Sequence, residues 1–513
     1  MLIRSHKRLT SRFIALVFSI ALALAATGCA VGPDFKRPAP PAIDRYAQSL
    51  PAAPAGATSG ISAQRLVDGM DISGQWWTLF QSRPLNELIN QAIQANPDLH
   101  AAQAVLRGAN ETLRAGQGAF YPSVDLGFQS TRQKSATGSG SSSAADGSAL
   151  SNLHTAQVNV GYSPDVFGGV RRGVESLQAQ TELQRFQLEA AYLTLTSNVV
   201  NAAVQEASLR AQIATTHDII GINTKLLESL RRLHSLGQSA VADLAQQEAT
   251  LAQTRTALPP LEKQLAQQRN MLATLIGRFP SEELSARFDL ASLQLPPTLP
   301  LSLPSKLVQQ RPDIRAAEES LHAASAQIGV AIANRMPNVT LSATLGSTAY
   351  EIGQLLGAGT GFWMLAGNLA QSVFHGGTLL HQQRAAEAAY EQAAAQYRST
   401  VLSAFRDVAD TLHAIEADTR AHAAAATAER ASAKSLAIAT QQLELGDISY
   451  TSLLTAQQLY QQTKLNLVQA QANRLADSVA LFQALGGGWW NRSAVASVLA
   501  ARGSADPSTS PSQ

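Results

Sequence analysis

Three short segments of the chain alternate apolar and polar residues, and a fourth does so less cleanly. This is the pattern of a β-strand with one apolar and one polar face. In the clearest case Val124, Leu126 and Phe128 are separated by Asp125 and Gly127. The predicted strands cover about residues 121–133, 153–165, 337–350 and 362–374, and a Gly-rich loop joins the members of each pair. A tilted strand needs about 9–11 residues to cross a bilayer, so the pattern predicts two hairpins of membrane-spanning strands.

The remainder of the pattern is helical. Between Val170 and Leu236 there is no proline, and apolar residues recur at spacings of 4, 3, 7 and 4, which is coiled-coil periodicity. This stripe consists of Phe186, Ala190, Leu193, Val200 and Val204, and a matching stripe farther along consists of Leu402, Phe405, Ala409 and Leu412. The predicted helices cover about residues 85–116 with an interruption at Asn96-Pro97, 170–236, 240–277 with a break at Pro259-Pro260, 313–335, 377–445 and 450–485. The longest would extend on the order of 100 Å, so the predicted fold is mainly α, with long coiled-coil helical hairpins and a small β part.

The order of these elements is repeated along the chain. One constant shift places Pro97 on Pro312 and Pro122 on Pro337, and a slightly smaller shift places Gly237 on Gly446. Prolines and glycines kept in order over most of the chain indicate an internal two-fold repeat of a unit of about 210 residues. The predicted organisation is a signal peptide (1–28), a tether (29–75), a first copy (76–280), a Pro-rich linker (281–304), a second copy (305–490) and a disordered tail (491–513).

The N-terminus has the layout of a bacterial export signal, with four basic residues before an apolar run from Phe13 to Ala26. This run is shorter than the roughly 20 residues that a membrane-spanning helix needs. The sequence Ala26-Thr27-Gly28-Cys29 resembles the lipobox of bacterial lipoproteins, which implies that Cys29 becomes the lipidated first residue of the mature chain. Under the sorting rule for such lipoproteins, Ala30 then implies delivery to the outer membrane. The alternative is an ordinary cleaved signal with an incidental cysteine.

Composition narrows the possible functions. Aromatic residues make up 5% of the chain and hydrophobic residues 45%, so much of the apolar content is Ala and Leu, which favours long helices packed through small side chains. Removing the signal takes away four of the 39 Lys and Arg and none of the 37 Asp and Glu, which leaves no basic domain for nucleic acid. One cysteine excludes an intrachain disulfide framework and a four-cysteine metal site. The histidines contain no HExxH motif, and His322, His375 and His413 stand singly, so no catalytic residue, metal or cofactor is predicted.

Four amphipathic strands in one chain are too few to close a membrane barrel. Backbone groups in lipid must all be hydrogen bonded, so an open sheet edge cannot persist there. The chain is therefore expected to associate with further copies. Eight strands from a dimer would leave an interior filled by side chains, whereas twelve or more strands open a lumen. Long helices leaving one end of such a barrel would continue the tube into the periplasm.

Several short motifs are spread over about residues 29 to 490. They are WWTLF, NPDLHAA, DVFGG, RPDIRAAE, VFHGGTLL, LLTAQQ and LGGGWW. In combination they resemble the TolC-like outer membrane efflux proteins, in particular the lipoprotein branch called the NodT type. The resemblance implies a homotrimer with a twelve-stranded outer-membrane β-barrel and a periplasmic α-barrel. It also implies a passive exit duct for small molecules such as drugs or other toxic compounds. The duct would serve an inner-membrane transporter, commonly of the resistance-nodulation-division class, through a periplasmic adaptor (membrane fusion) protein.

The resemblance also implies where the gate lies. In the family the tips of the helix hairpins close the periplasmic end, and an Asp in the LLDAQ motif narrows the pore, often with an Arg three residues on. Here Thr455 stands in place of the Asp and Gln458 in place of the Arg, so with Ser452 they predict a more neutral constriction with weaker cation affinity. Asp243, in the equivalent turn of the first copy, is either the remaining gate carboxylate or a residue that caps or solvates the helix tip. The turns at which the adaptor is expected to dock are marked by Gly237 and Gly446.

Other functions stay open on the sequence alone. A duct for peptide or protein secretion would have the same architecture, since the inner-membrane pump largely selects the substrate. A lipid-anchored coiled-coil adhesin or scaffold would contain the helices without a pore, and it predicts no membrane strands. An enzyme has little support, because GAGTG at 357–361 lies between two predicted strands instead of opening a helix, as a hairpin loop would.

Overall fold

The computed structural model describes residues 30–43, 45–46, 64–134, 150–282 and 284–492. The predicted signal peptide, Cys29 and residues 493–513 of the predicted tail lie outside these residues. The described chain is mainly helical with a small strand component, as the sequence predicts. Within it, no helix combines the length and the apolar character needed to cross a membrane.

The chain divides into two compact units, and each takes segments from both predicted copies of the repeat. The described residues of the first unit fall within Met1–Arg37, Arg107–Leu183 and Ala317–Gln396, and those of the second within Pro38–Leu106, Gln184–Ala316 and Tyr397–Gln513. The spatial units and the sequence copies therefore divide the chain differently. Each copy contributes one strand hairpin to the first unit and most of its long helices to the second.

The helices begin where the sequence supplies a favourable first turn. Pro97 and Pro312 are first helical residues, where the missing N–H of proline costs no hydrogen bond. The break predicted at Pro259-Pro260 within 240–277 is present, and it falls at Ala257, which divides the segment into two helices. The helices are α1 (Arg83–Ala95), α2 (Pro97–Gln117), α3 (Gly169–Ser235), α4 (Val241–Thr256), α5 (Leu258–Leu275), α6 (Pro304–Gln310), α7 (Pro312–Ala333), α8 (Thr378–Leu445) and α9 (Tyr450–Ala484).

The buried stripe of the second long helix differs from the prediction. The spacing of apolar residues predicts that Leu402 is part of this stripe, but Leu402 is 62% exposed. The buried apolar residues of α8 in this region are Val401, Ala404, Val408, Leu412 and Ile415. Their spacings of 3, 4, 4 and 3 keep the coiled-coil period one residue out of phase with the predicted stripe at its start. An Ala-rich helix offers several apolar stripes of similar strength, so spacing alone did not identify the buried one.

The first unit contains a four-stranded antiparallel sheet built from both hairpins. Six strands occur in the described chain: β1 (Arg65–Asp68), β2 (Ser123–Lys134), β3 (Leu150–Tyr162), β4 (Thr298–Leu301), β5 (Asn338–Ala349) and β6 (Gly361–Ala370). The sheet has the order β2-β3-β5-β6, so β2 and β6 form its edges. The segment 357–361 joins β5 to β6, as predicted. Two strand hairpins at matching places in both copies favour the pore over the adhesin or scaffold alternative, which predicts no membrane strands.

The register gives this sheet one apolar and one polar face. Val158 lies opposite Leu126 on one side and opposite Leu345 on the other, and Leu345 lies opposite Trp363. The same face carries the exposed residues Val124, Leu126, Phe128, Leu341, Leu345, Trp363, Leu365 and Leu369. The opposite face carries Asp125, Gln129, Gln157, Asn159, Thr340, Ser342, Thr344 and Asn368. The period-two pattern therefore sorts most side chains of β2, β3 and β5 as predicted, whereas β6 also places Phe362 and Met364 on the polar face.

A small parallel sheet is a correction to the sequence analysis. Strand β1 lies in the predicted tether and strand β4 in the predicted Pro-rich linker, yet they pair from Arg65 opposite Thr298 to Asp68 opposite Leu301. Leu299 is fully buried in this sheet. Order therefore begins within the predicted tether (29–75), before the start of the predicted first copy at residue 76. Local periodicity could not show the pairing, because both strands are very short and each depends on a partner in the other copy's flanking segment.

The second unit has an aromatic core that includes a tryptophan to which the sequence analysis gave no role. Trp76 stacks on Phe482 with ring centroids 5.2 Å apart. Trp489 packs against Phe186 at 5.7 Å, and its Nε1 donates to the Gln310 carbonyl at 2.6 Å. The chain is still ordered at Asn491, in the predicted disordered tail, where the side-chain amide donates to the Ile72 carbonyl at 2.7 Å.

The duplication is visible in how each copy closes its long hairpin. In the first copy, Asn96 Nδ2 donates to the Leu275 carbonyl at 3.0 Å. In the second, Arg311 Nη1 donates to the Ala484 carbonyl at 3.2 Å. The two donors are equivalent under the sequence repeat, because each directly precedes the proline that opens its helix, and the two acceptors each lie just before the Gly that ends the hairpin. Two different side chains therefore perform the same task in the two copies.

Candidate functional site

Both tight turns between long helices have the same backbone design. Gly237 follows α3 with φ 74°, and Gly446 follows α8 with φ 80°. In the first turn the Gln238 amide donates to the Leu233 carbonyl at 2.9 Å, and in the second the Asp447 amide donates to the Gln442 carbonyl at 2.9 Å. These bonds close the ends of the helices in the Schellman manner, in which the left-handed residue favours glycine. The two glycines predicted to mark the turns therefore occupy equivalent positions.

The three predicted tip residues of the second copy lie on one exposed face of α9. Ser452, Thr455 and Gln458 are exposed and follow one another at three-residue spacing. The Ser452 amide donates to Oγ of Ser449, the residue that caps α9, at 3.3 Å. The Thr455 hydroxyl donates to the Thr451 carbonyl at 3.0 Å, so it is satisfied by its own helix. This face presents neutral hydroxyl and amide groups.

Asp243, the predicted tip residue of the first copy, does not cap its helix. The residue preceding α4 is Ala240, which offers no side-chain cap, and Asp243 lies in the first turn of the helix. There its carboxylate acts on Tyr450, at the start of α9. Burial raises the pKa of the Tyr450 hydroxyl, and the negative charge of Asp243 raises it further. The structure thus brings the tip residue of one hairpin to the start of the returning helix of the other.

A network of buried amides, which the sequence analysis missed, joins α3, α4 and α9 behind the exposed face. Gln247 Nε2 donates to the Asn223 carbonyl at 2.9 Å and to Asn223 Oδ1 at 3.1 Å. Gln457 Nε2 also donates to Asn223 Oδ1, and the Tyr450 hydroxyl donates to Gln247 Oε1. Asn223 Nδ2 in turn donates to Thr254 Oγ1 at 3.2 Å. Asn223 and Gln247 have no exposed surface, so the network is part of the core of the tips.

A signal for this network was present in the sequence. Tyr450, Leu453, Leu454 and Gln457 follow the spacing of one helix face. Gln457 therefore falls on an apolar stripe, where a polar side chain needs a buried partner. The apolar members of that stripe form a cluster with Leu230 and Ala439. The partner Asn223 could not be identified, because it lies far from Gln457 in sequence and on a different helix.

A shallow groove lies beside the second tip. Its volume is about 480 Å³, and its lining includes Lys434, Ile438, Ile448 and Ser452. It runs between α8 and α9 and mixes apolar and polar side chains. It is therefore a surface at the predicted docking turn that could accept part of another chain.

Residues 30 to 37 form a strap that the sequence analysis also missed, and they pack on helices of the first unit. The Val31 amide donates to the Phe167 carbonyl at 3.1 Å. Arg172, which is 5% exposed, donates to Asp34 Oδ1 at 2.6 Å and to Glu175 Oε2 at 2.7 Å. These residues directly follow Cys29 in the sequence.

His322, predicted to be a bystander, belongs to this strap contact. Its Nδ1 lies 3.3 Å from Glu319 Oε2, and its Nε2 lies 3.0 Å from Glu175 Oε1. The ring of Phe35 stacks on the imidazole at 4.3 Å. The hydrogen bond to Glu319 raises the pKa of His322, burial lowers it, and the bond to Glu175 raises it again, so the net change is upward. Glu319 lies three residues before His322 on α7, so its contact is local, whereas Glu175 becomes a neighbour only when α3 and α7 pack together.

No metal centre is found in the described part of the chain, where no three His, Cys, Asp or Glu side chains are grouped as ligands. The candidate functional sites in the described residues are therefore two surfaces. One is the neutral face at the hairpin tips, and the other is the uncovered apolar face of the sheet. Cys29, the predicted lipidation site, lies outside the described residues.

Comparison with known proteins gives consistent matches over most of the chain. The family model described as "Outer membrane efflux protein" matches residues 88–278 and 303–487. The pyoverdine export outer membrane protein OpmQ of Pseudomonas aeruginosa is 32% identical over 82% of this chain and 89% of its own length. The cation efflux system protein CusC of Escherichia coli O6:H1 is 27% identical over 92% of this chain and 98% of its own. The solved outer-membrane channel OprN superposes with a TM-score of 0.81 at 26% identity, over 90% of this chain and all of that one.

The two matched segments correspond to the two copies found in the sequence. The first covers most of the copy predicted at 76–280, and the second covers the copy predicted at 305–490. The predicted internal repeat is therefore confirmed.

Proposed function

Because the chain belongs to the outer membrane efflux protein family, we propose that it is the exit duct of a tripartite efflux system. The family consists of channels of the outer membrane that serve efflux. In the proposal, an inner-membrane transporter of the resistance-nodulation-division class delivers the substrate through a periplasmic adaptor. The duct forms no covalent bond with its substrate and needs no cofactor. Its tasks are to cross the membrane, to close when idle and to bind the adaptor.

The observation that carries the proposal is the two-faced sheet with both edges open. An apolar face on which Leu126 is 84% exposed and Leu365 is 75% exposed is suited to lipid, and the polar face is suited to a water-filled lumen. Four strands close no barrel, so three chains are proposed to contribute twelve. The purified detergent-solubilised protein is expected to run as a heat-modifiable trimer and to conduct ions in a planar bilayer. A lone subunit without conductance would contradict the proposal.

The proposed substrates are small molecules such as drugs or other toxic compounds. OpmQ is named for pyoverdine export and CusC for cation efflux, so family membership alone does not select the cargo. Deletion of the gene is expected to raise intracellular accumulation of a panel of dyes and antibiotics, and the wild-type chain is expected to restore efflux. If deletion instead abolished release of a peptide or protein and left accumulation of the panel unchanged, the secretion function would be correct.

The neutral face of the second tip is proposed to line the gate. Three copies of Ser452, Thr455 and Gln458 around one axis would place no carboxylate in the constriction. Thr455→Asp should therefore raise cation selectivity and sensitivity to divalent-cation block, since three carboxylates facing one axis concentrate cations. Single-channel recordings in a planar bilayer, with divalent cations added to either side, would measure the cation selectivity and the block.

A matched control separates the gate from a general charge effect. Thr427 is also exposed on a long helix and also donates its hydroxyl to the preceding turn, at 2.9 Å to the Ala423 carbonyl. It lies several turns before α8 ends at Leu445, so Thr427→Asp adds the same charge far from the tip. Equal effects of Thr427→Asp and Thr455→Asp would place the constriction elsewhere.

Two further assignments belong to this proposal. Lipidation of Cys29 would anchor the chain, and Cys29→Ser is expected to abolish incorporation of labelled palmitate. The turns at Gly237 and Gly446, with the groove beside Ser452, would receive the adaptor. Ile438→Asp within that groove is expected to weaken adaptor cross-linking while channel conductance stays unchanged. Normal cross-linking of this variant would exclude the groove.

A further inference from the structure

The sheet contains one internal seam at which the two copies meet. Strand β3 of the first copy pairs with β5 of the second, from His154 opposite Ala349 to Tyr162 opposite Leu341. Thr344 Oγ1 donates to Asn159 Oδ1 across this seam at 3.0 Å. The seam therefore shows how the second strand of one hairpin pairs with the first strand of the next hairpin.

The strand registers establish which residues of the two hairpins are equivalent. In the first hairpin Val124 lies opposite Val160, and in the second Val339 lies opposite Leu369. Val124 and Val339 each follow the proline before their strand by two positions, so the repeat aligns them. Val160 is therefore equivalent to Leu369. In the same alignment Asn159, which bonds across the internal seam, is equivalent to Asn368, so the residue type is retained.

We propose that β6 pairs with β2 of a second copy of this chain in the register that repeats the internal seam. This register places Asn368 opposite Gln129 of the partner subunit and Leu369 opposite Phe128 of the partner subunit. The inference rests on the proposed function, because it assumes that chains close a common barrel. It adds the atomic register of the contact between them.

The chemistry of the two edges fits this register around Asn368 and Leu369, whereas farther along the register sets Arg132 of the partner subunit opposite Leu365 on the apolar face. Leu369 and Phe128 both lie on the apolar face, so their pairing continues that face across the boundary between chains. Asn368 and Gln129 both lie on the polar face, where their amides can bond as Thr344 and Asn159 do. A slip by one residue would set a polar side chain against an apolar one on both faces. Strand direction also agrees, because an antiparallel sheet ordered β2-β3-β5-β6 leaves β6 antiparallel to the next β2.

A second contact of the internal seam has an equivalent at the edge. Ser163 Oγ, just beyond β3, donates to the Val339 carbonyl at 3.0 Å. The alignment that pairs Val160 with Leu369 places Ser372 in the corresponding position just beyond β6. Its hydroxyl would then reach the Val124 carbonyl of the next chain. A serine at both strand ends supports the same register.

Cysteine pairs test the register directly. Cys29 is the only native cysteine and is kept in all variants. Residues directly opposite in an antiparallel pair have Cα atoms about 4.5–5.5 Å apart, within the range of a disulfide, whereas a two-residue offset gives about 7–8 Å. The test variant is Gln129→Cys with Asn368→Cys. The controls combine Asn368→Cys with Thr131→Cys or with Gly127→Cys, which keep the polar face and shift the pairing by two positions.

Oxidation of outer membranes is expected to link the test variant into covalent dimers and trimers on non-reducing gels, with at least about fivefold more product than either control, given the separations above. A bond within one chain is excluded, because three strand spacings separate β2 from β6 by about 14 Å. Stronger linkage of a control variant, or heat-modifiable trimers without linkage of the test variant, would overturn the register alone. Absence of trimers in the wild-type chain would overturn the proposed function as well.

Discussion

Two glycines with the same backbone conformation are expected to respond differently to the same substitution. Gly277 has φ 71° and Gly237 has φ 74°, so alanine at either incurs the cost of a left-handed conformation, about 1–2 kcal/mol. A Cβ at Gly277 would overlap the backbone carbonyl of Ala95, whereas a Cβ at Gly237 would meet no atom within 4 Å. Gly277→Ala is therefore expected to cost a further amount of about 1–3 kcal/mol from overpacking.

Thermal melting followed by circular dichroism in detergent would compare the two variants. Gly277→Ala should lower the apparent Tm clearly more than Gly237→Ala. Gly486, the equivalent of Gly277 in the second copy, provides a replicate, since a Cβ there would lie 2.6 Å from the Gln310 carbonyl oxygen. Equal losses in all three variants would show that backbone conformation alone determines the cost.

His322 should make stability depend on pH. Its folded-state pKa is raised, chiefly by the hydrogen bond to Glu319 and also by Glu175. The protonated form is therefore favoured in the folded chain, and its contribution is fully present below the ordinary pKa of about 6.5. The contribution is lost as pH rises through the raised folded value. His322→Gln should lower Tm at pH 5.5 and make little difference at pH 9.

The neighbours of His322 and a control define this test. The charged groups in contact are Glu175 and Glu319, and Arg172 already pairs with Glu175. His413 is exposed on α8, so His413→Gln controls for the loss of any imidazole. A Tm difference for His322→Gln that is the same at both pH values would mean that the ring contributes by stacking on Phe35 and not by its charge.

At the residue scale, the local sequence pattern predicts turn glycines and exposed positions, but it does not predict which residues each side chain contacts. The turn glycines and the exposed face of Thr455 follow from helix periodicity and from the repeat. The contact of His322 with Glu175 and the effect of Asp243 on Tyr450 depend on residues far away in sequence. In the first case packing created an interaction that the sequence does not show, and in the second it directed the carboxylate toward Tyr450.

At the scale of elements, the buried amide network should stabilise the packing of α4 and α9 against α3. Asn223→Ala removes the acceptor shared by Gln247 and Gln457. A buried amide left without a partner costs about 1–3 kcal/mol. Hydrogen exchange should therefore accelerate in the first turns of α9 and along α4. The control is Asn466→Ala, which removes an exposed asparagine of α9 whose side-chain oxygen accepts a hydrogen bond from Gln462 on the same helix.

The outcome of the exchange experiment discriminates between two roles of the network. Faster exchange confined to the tips would identify it as a local clamp on the hairpins. Faster exchange throughout the second unit would identify a global contribution to folding. Unchanged exchange in Asn223→Ala would show that water replaces the lost acceptor, contrary to the expectation from its complete burial.

Elements could be predicted where one segment carries its own period. The strands 123–134 and 338–349 and the long helices each have a sustained pattern, and the structure contains all of them. The sheet of β1 and β4 has two very short strands that depend on a distant partner. The break at Ala257 follows from two prolines, which the pattern marked without fixing the residue at which the helix ends.

At the scale of the whole molecule, duplication explains how one sheet can serve as part of a larger one. Each copy supplies a hairpin, and the pairing of β3 with β5 joins two hairpins without a special connection. The same rule applied to the remaining edges, β2 and β6, continues the sheet into further chains. A single chain therefore already contains the contact that assembly would repeat.

The uncovered apolar face of the sheet is expected to contact lipid. Leu345 lies on the apolar face of β5 and is 65% exposed, and Ser342 is exposed on the polar face of the same strand. An arginine on the lipid side near the middle of a membrane costs about 2–4 kcal/mol, whereas one in a lumen stays hydrated. Leu345→Arg should therefore sharply reduce heat-modifiable trimers in outer-membrane fractions, and Ser342→Arg should leave them near the wild-type amount while lowering cation conductance. If Ser342→Arg were the variant that failed to assemble, the two faces of the sheet would have to be exchanged, and the polar side would face lipid.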